Sequence, residues 1–288
     1  MSSVSSLAAC GLLLALGLAT AAPAARGAAA MPAPTAMGGP LRVCAGPNNL
    51  PFSDAQGRGF ENAIARLLAE DLHRPLAYAW WPQRRGFIRN TLKAGKCDVV
   101  IGVPAHLDMA LTTAPYYRSS YVFVTRRDRH LDLRTLDDPR LRSLSIGVHA
   151  VGDDYANVPP AMALGRRGIV DNLHGYSIYG DYSKAAPSRA LIDAVDKGDV
   201  DVAIAWGPFA GYFSREEKHP LTIQPVEGEG DPTLPMTFAM SMAVRKGDTA
   251  LRRVLDDFIT RRHGAIDAVL KRYGIPVVPD DTTIPGRH

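Results

Sequence analysis

Cysteine is scarce in this chain, with three in 288 residues, and one of the three, Cys10, falls in an N-terminal apolar stretch. Cys44 and Cys97 remain. Neither belongs to a Cys-x-x-Cys pair or has a nearby His, so the spacing of a structural zinc site is missing. Charge of one sign is also in short supply. Lys and Arg number 33 against 29 Asp and Glu, a net charge of +4, and the basic residues are spread along the chain. A surface that tracks phosphates needs clustered cations, so no nucleic-acid partner is expected. After residue 22 no apolar run is long enough to span a bilayer. The chain carries no G-x-S-x-G, P-loop, H-E-x-x-H or Rossmann glycine fingerprint and no calcium-loop pattern, and its eight His are scattered. No catalytic residue, metal or cofactor is therefore expected. Asp153 and Asp154 could coordinate a cation, but helix capping is the plainer role for such a pair. Solenoid repeats and coiled-coil heptads are absent as well.

What is present reads as a globular chain, 46% hydrophobic and 22% charged. Residues 7–22, LAACGLLLALGLATAA, have the length and apolarity of a signal peptide, followed by ATA at 19–21 and AAA at 28–30 as candidate cleavage sites. The n-region lacks Lys and Arg, and LAAC at 7–10 precedes most of the apolar core instead of closing it as a lipoprotein box would. Residues 1–30 are thus assigned to a signal peptide and leader, and residues 31–40 to a flexible linker. Export to an oxidising compartment, the periplasm, makes the even pair Cys44 and Cys97 a candidate disulfide. Such a bridge closes a loop of about 50 residues, worth roughly 4 kcal/mol in the chain-entropy picture; two buried free thiols are the alternative.

From residue 41 short strands alternate with helices. LRVCAG (41–46), LAYAWW (76–81) and CDVVIGV (97–103) read as strands, separated by helical spacing of Ile64, Leu67, Leu68 and Leu72 over 60–72 and of Phe87, Ile88 and Leu92 over 84–94. This β-α-β-α-β order predicts an α/β fold with a parallel sheet and right-handed crossovers. YVFVTRR (121–127) leaves that unit, and a second set follows with strands at 144–148 and 200–206 and a helix over 187–197. Residues 225–235 read as a loop, 238–246 as a returning strand, and Leu251, Val254, Leu255, Phe258 and Ile259 as a final amphipathic helix. The boundaries are lobe 1 over 41–125, lobe 2 over 126–237, a return to lobe 1 over 238–280 and a tail over 281–288.

The segments LRVCAGPNNLPFS, GRGFENAIARLLAEDL, LKAGKCDVVIGV and APYYRSSYVFV, with ALIDAVDKGDVDVAIAW and FAMSMAVRKGDTALRRVLDDFI, resemble the type II periplasmic solute-binding proteins that serve polar amino acids. The resemblance implies two αβ lobes joined by a two-strand hinge. AWWPQRRGFIRNTLKAGKCDVVIGVP and TTAPYYRSSYVFV are similar, more narrowly, to the methanol-oxidation J proteins, a subfamily associated with PQQ-dependent methanol and alcohol dehydrogenases, including lanthanide-dependent ones. That resemblance implies a non-enzymatic periplasmic accessory protein whose partners are the dehydrogenase and its cytochrome c acceptor. The alternative is a solute receptor feeding a transporter.

Ligands of open α/β sheets bind at the carboxyl ends of the strands. That rule gathers a candidate cleft for a ligand or partner from Asn48, Asn49 and Phe52 after the first strand, and from Trp80, Trp81, Gln83 and Arg84 after the second. Pro104, Tyr117 and Arg118 complete the first lobe's share, and His149, Tyr182 and Trp206 come from the second lobe. Arg84 and Arg85 at a helix start are mildly unfavourable and hint at an anionic neighbour. Relative to the amino-acid binders, GVPAHLDMALTTAPYY contains no Arg to clamp a carboxylate, VHAVGDDY lacks a Thr-bearing anion nest, and Trp206-Gly207-Pro208 replaces the acid that holds an ammonium. An aromatic, apolar cleft or a protein-docking groove is therefore expected in place of an amino-acid site.

Overall fold

The computed structural model describes residues 38–150, 158–177, 186–228 and 231–279. The expected leader over 1–30, the linker as far as residue 37, the tail over 281–288, Asp153, Asp154 and Tyr182 lie outside the described residues.

The first lobe opens with β1 (Leu41–Ala45), a small ribbon of β2 (Asn48–Asn49) and β3 (Ser53–Asp54), helix α1 (Phe60–Asp71) and β4 (Leu76–Trp80). It continues through the single turn α2 (Phe87–Asn90), β5 (Val99–Pro104) and the long β6 (Leu111–Arg126). The second lobe holds β7 (Ile146–Ala150), α3 (Pro159–Arg166), β8 (Leu173–Ser177), α4 (Ala190–Lys197), β9 (Val202–Trp206), α5 (Gly207–Phe213) and β10 (Leu221–Pro225). The chain then returns with β11 (Thr237–Val244) and α6 (Thr249–Arg272).

β1 pairs in parallel with β4 and β5, and β7 in parallel with β8 and β9, the arrangement that βαβ crossovers impose. The sheet as a whole is mixed and not parallel. β11 inserts antiparallel between β5 and β6, and β6 runs antiparallel to β9 and β10. The sheet order β4-β1-β5-β11-β6-β9-β7-β8 makes β6 the strand common to both lobes. Its residues Leu111–Ser120 pair with β11, whereas Tyr121–Arg126 pair with β9 and β10. The pattern reading placed a strand only from residue 121, because LTTAPYYRSS carries no continuous apolar run. Backbone pairing with β11 extends it, with Pro115 accommodated at a register shift opposite Ser241.

The helix expected over 84–94 is a single turn. Gly86 enters it at φ +85°, and Thr91 leaves the helical region at φ −120°, ψ −82°, so Phe87 and Leu92 are buried without a regular helix between them. The final helix runs well past Ile259, since Ile266 and Leu270 keep the buried stripe through a polar stretch. That stripe packs with Ile64 and Leu68 of α1 and Met242 of β11 in the core of the first lobe. A second core gathers Phe123, Leu133, Leu136 and Ile204 in the other lobe.

Cys44 and Cys97 form a disulfide with their Cα atoms 5.5 Å apart, joining β1 to the start of β5. The next residue, Asp98, is fully buried. It accepts from the Arg42 backbone N–H at 3.1 Å and from its guanidinium at 2.6 Å, and lies 3.9 Å from Arg74 and 3.7 Å from Arg245. Arg245 also donates to the Cys97 carbonyl at 2.5 Å. One carboxylate thereby ties β1, β11 and the turn before β4 to the start of β5. Losing its charge removes a carboxylate from beside two buried guanidinium groups, those of Arg74 and Arg245. Asp98→Asn should lower unfolding stability by about 3 kcal/mol in urea titrations, the scale for breaking a buried ion pair. Arg42, 42% exposed, should cost only about 1 kcal/mol when replaced by Ala.

Candidate functional site

The two lobes meet at the carboxyl ends of β1, β5 and β9. Several contacts bridge them directly, three of them beside the cleft. Ser188 Oγ donates to the Leu50 carbonyl at 3.0 Å, the Ala186 N–H donates to Asn48 Oδ1 at 3.1 Å, and the ring of Phe52 stands edge-on to Phe209 at 5.3 Å. Next to these contacts lies a cavity of about 350 Å³. Lobe 1 supplies Cys44, Ala45, Gly46, Asn49, Phe52, Glu61, Gln83, Phe87, Val100, Gly102 and Pro104 to its wall, β6 supplies Tyr121, the second lobe Trp206 and Phe209, and β11 Phe238 and Met240. The aromatic side is continuous: Trp206 packs on Tyr121 at 5.4 Å and edge-on to Phe238 at 5.7 Å.

Of the residues expected in the cleft, Asn49, Phe52, Gln83, Pro104 and Trp206 line this cavity. The others stand elsewhere. Trp80 stacks on Tyr78 at 4.4 Å, two positions back on the same face of edge strand β4. Trp81 donates its backbone N–H to Ala45 and packs beside Phe87 and Leu92, with the Lys96 ammonium 4.5 Å above its ring. Arg84 is exposed on the turn after Pro82. Tyr117 is buried in the first lobe's core, edge-on to Phe60 at 6.1 Å. Arg118 is half-buried on β6, where its carbonyl accepts from Val278. Asn48 uses its side chain on Ala186. His149 is buried behind Phe209, its ring 5.0 Å away and its Nε2 facing the Ser188 carbonyl at 3.3 Å. Burial holds its imidazole down at about 4, so it is neutral and braces an aromatic wall. Tyr182 lies outside the described residues.

Among the described residues no Arg or Lys lines the cavity, and its single charged lining residue is Glu61. Glu61 occupies the first turn of α1, a position that in sequence reads only as a complement to the helix dipole. Fold geometry turns it inward. Gly102 leaves room for the carboxyl, because a Cβ there would lie within 1.9 Å of Glu61 Oε1. No hydrogen bond or ion pair with a described residue reaches that carboxyl, and burial pushes it up to about 8. The titratable groups facing it are Tyr78 of β4 and Tyr116 and Tyr117 of β6, whose phenols burial raises above their ordinary value. Sequence reasoning also missed Tyr121, Phe209, Phe238 and Met240. Of these, Phe238 and Met240 could have been found from alternation along the returning strand.

Among the described residues no three His, Cys, Asp or Glu side chains cluster so as to hold a metal ion, and no helix is long and apolar enough to cross a membrane.

Glu61 also sets a pH dependence. Its ordinary value is 4.5 and its folded value about 8, so between these the folded chain holds a proton that the unfolded chain has released. Stability therefore falls as pH rises through that window. Glu61→Gln removes the ionisation. The variant should melt a few degrees above the wild type at pH 8.5 and converge with it near pH 4.5, read by thermal melts across pH; a difference constant over that range would overturn the assignment. His149 acts on the other flank with opposite sign, its stabilisation fading as pH falls from 6.5 towards 4.

Residues 41–275 match the bacterial extracellular solute-binding proteins, family 3. Protein MoxJ of Methylorubrum extorquens is 34% identical over 84% of this chain and 82% of its own length. The crystal structure of periplasmic binding protein XoxJ from Methylobacterium extorquens AM1 is 35% identical, with a TM-score of 0.69, covering 83% of this chain and all 100% of that one. MxaJ from Methlophaga aminisulfidivorans MPT is 27% identical with the same TM-score of 0.69, again over 83% of this chain and 100% of its own. With the mixed two-lobe sheet and the interlobe cavity, this similarity over nearly the whole described chain places the protein in family 3 of the bacterial extracellular solute-binding proteins, as a MoxJ-like type II periplasmic binding protein.

Proposed function

We propose that the chain is a non-enzymatic periplasmic accessory protein of a quinoprotein methanol or alcohol dehydrogenase system. It is exported by its leader and binds the PQQ-dependent dehydrogenase to assist its maturation or activation. The observation that carries this reading is the similarity to MoxJ, 34% identity over 84% of the chain, in a protein whose cleft has no cationic side chain for an amino-acid carboxylate among its described lining residues. A binding-protein fold that has shed its amino-acid contacts retains two lobes and a hinge, which suits a protein that grips and releases a partner. The crossings at Ser120–Tyr121 within β6 and at Met236–Thr237 before β11 are where such a hinge would bend. The dehydrogenase's cytochrome c acceptor is a second candidate partner.

A second reading has its own support. The cavity of about 350 Å³ between the lobes is of a size to hold a small molecule, so the chain could serve a transporter as a receptor for a non-amino-acid ligand with apolar or aromatic character.

Sedimentation of the purified chain with its quinoprotein dehydrogenase distinguishes the two. The accessory reading expects a complex with an interface of about 1,000 Å² or more, seen as hydrogen-exchange protection along the cleft rims. It also expects lower dye-linked dehydrogenase activity in cells lacking the chain. Separate sedimentation together with unchanged activity would overturn it.

A further inference from the structure

Glu61, half-buried at the cavity wall, stands apart from the enclosed acids. Asp54 is paired with Arg58, Asp71 with Arg261 and Arg262, Asp98 with Arg42, Asp248 with Arg245, and Glu217 with Arg189. Glu61 faces a cavity without any such partner among the described residues. A carboxylate taken from water without a counter-charge is costly. The first-turn position on α1 offsets only part of that cost. The fold nevertheless makes room for the group with Gly102. Phe52, Tyr121, Trp206, Phe209 and Phe238 line the same cavity. Aromatic faces are negative at the ring centre and attract cations, most strongly when water is excluded. Asn49 and Gln83 also line the cavity, and both are neutral.

We propose that the cavity binds a small organic ammonium ion that carries no carboxylate, with Glu61 as its counter-charge and the ring of aromatic side chains as its cage. Among the described residues no cationic clamp lines the cavity, which sets it apart from a zwitterion site, because an amino acid would bring a second, uncompensated charge. Tyr78, Tyr116 and Tyr117, the titratable groups facing Glu61, stay neutral at working pH, so the incoming ammonium is the charge that ionises it. Below pH 8 the carboxyl is mostly protonated, and cation binding transfers that proton to the buffer. The inference concerns the isolated chain and stands apart from the dehydrogenase complex, so failure of either leaves the other intact.

Calorimetric titration of the purified chain at pH 7 tests it, with n-butylammonium, n-butanol and butyrate as isosteres of differing charge. The expected result is at least roughly tenfold tighter binding of butylammonium than of the other two, about 1.4 kcal/mol. Its heat should also vary between phosphate and Tris buffers as a released proton requires. Glu61→Gln should abolish both the preference and the proton release. Gly102→Ala, which pushes the carboxyl out of its niche, should weaken butylammonium while leaving the fold intact by circular dichroism. Equal binding of butanol or butyrate, retention of the preference in Glu61→Gln, or absence of any butylammonium heat at millimolar concentration would each overturn the proposal.

Discussion

Strand β6 has to satisfy two sheets with one backbone. Its N-terminal part is hydrogen-bonded to β11 and its C-terminal part to β9 and β10, and the change of partner falls between Ser120 and Tyr121. Both serines before this point, Ser119 and Ser120, are buried, and Gly207 at the start of α5 approaches so closely that a Cβ would come within 2.6 Å of Ser119 Oγ. Small residues on both sides let a helix of the second lobe abut the shared strand. Tyr121, the first residue committed to the second lobe's sheet, then faces its register partner Trp206, and the pair forms one wall of the cavity. The cleft is therefore a geometric product of the strand that switches partners, as ligand sites at topological switch points commonly are.

The lobes contribute differently to that cleft. From the first come the polar groups, Asn49, Gln83 and Glu61, at the ends of strands and the start of a helix. From the second come Trp206 and Phe209, supported from behind by the neutral His149. The first lobe also supplies Phe52 and Phe87, so the aromatic wall is complete only when the lobes approach. The contacts of Ser188 with Leu50 and of Ala186 with Asn48 hold that approach.

The βαβ order and the strands at 41–46, 97–103 and 200–206 were legible because fully buried strands read as continuous apolar runs. That GVPAHLDMALTTAPYY carries no Arg was legible too, since a missing Arg is visible without coordinates. Three things were not. The first half of β6 is held by backbone pairing that its side chains do not advertise. Trp80 and Trp81 looked like cleft residues because they end a strand, yet Pro82 redirects the chain and leaves one on an edge strand's face and the other against Phe87. Glu61 carries no sequence signal beyond a place in the first turn of a helix, and only the tertiary approach of Gly102 sets its carboxyl against the cavity.

The disulfide has a further consequence for where this protein can be complete. Cys44 is at once half of the bridge to Cys97 and part of the cavity's lining. A chain kept under reducing conditions would carry two thiols there, and the floor of the cleft would lack its covalent tie between β1 and the start of β5. Finishing the binding surface thus belongs to an oxidising compartment.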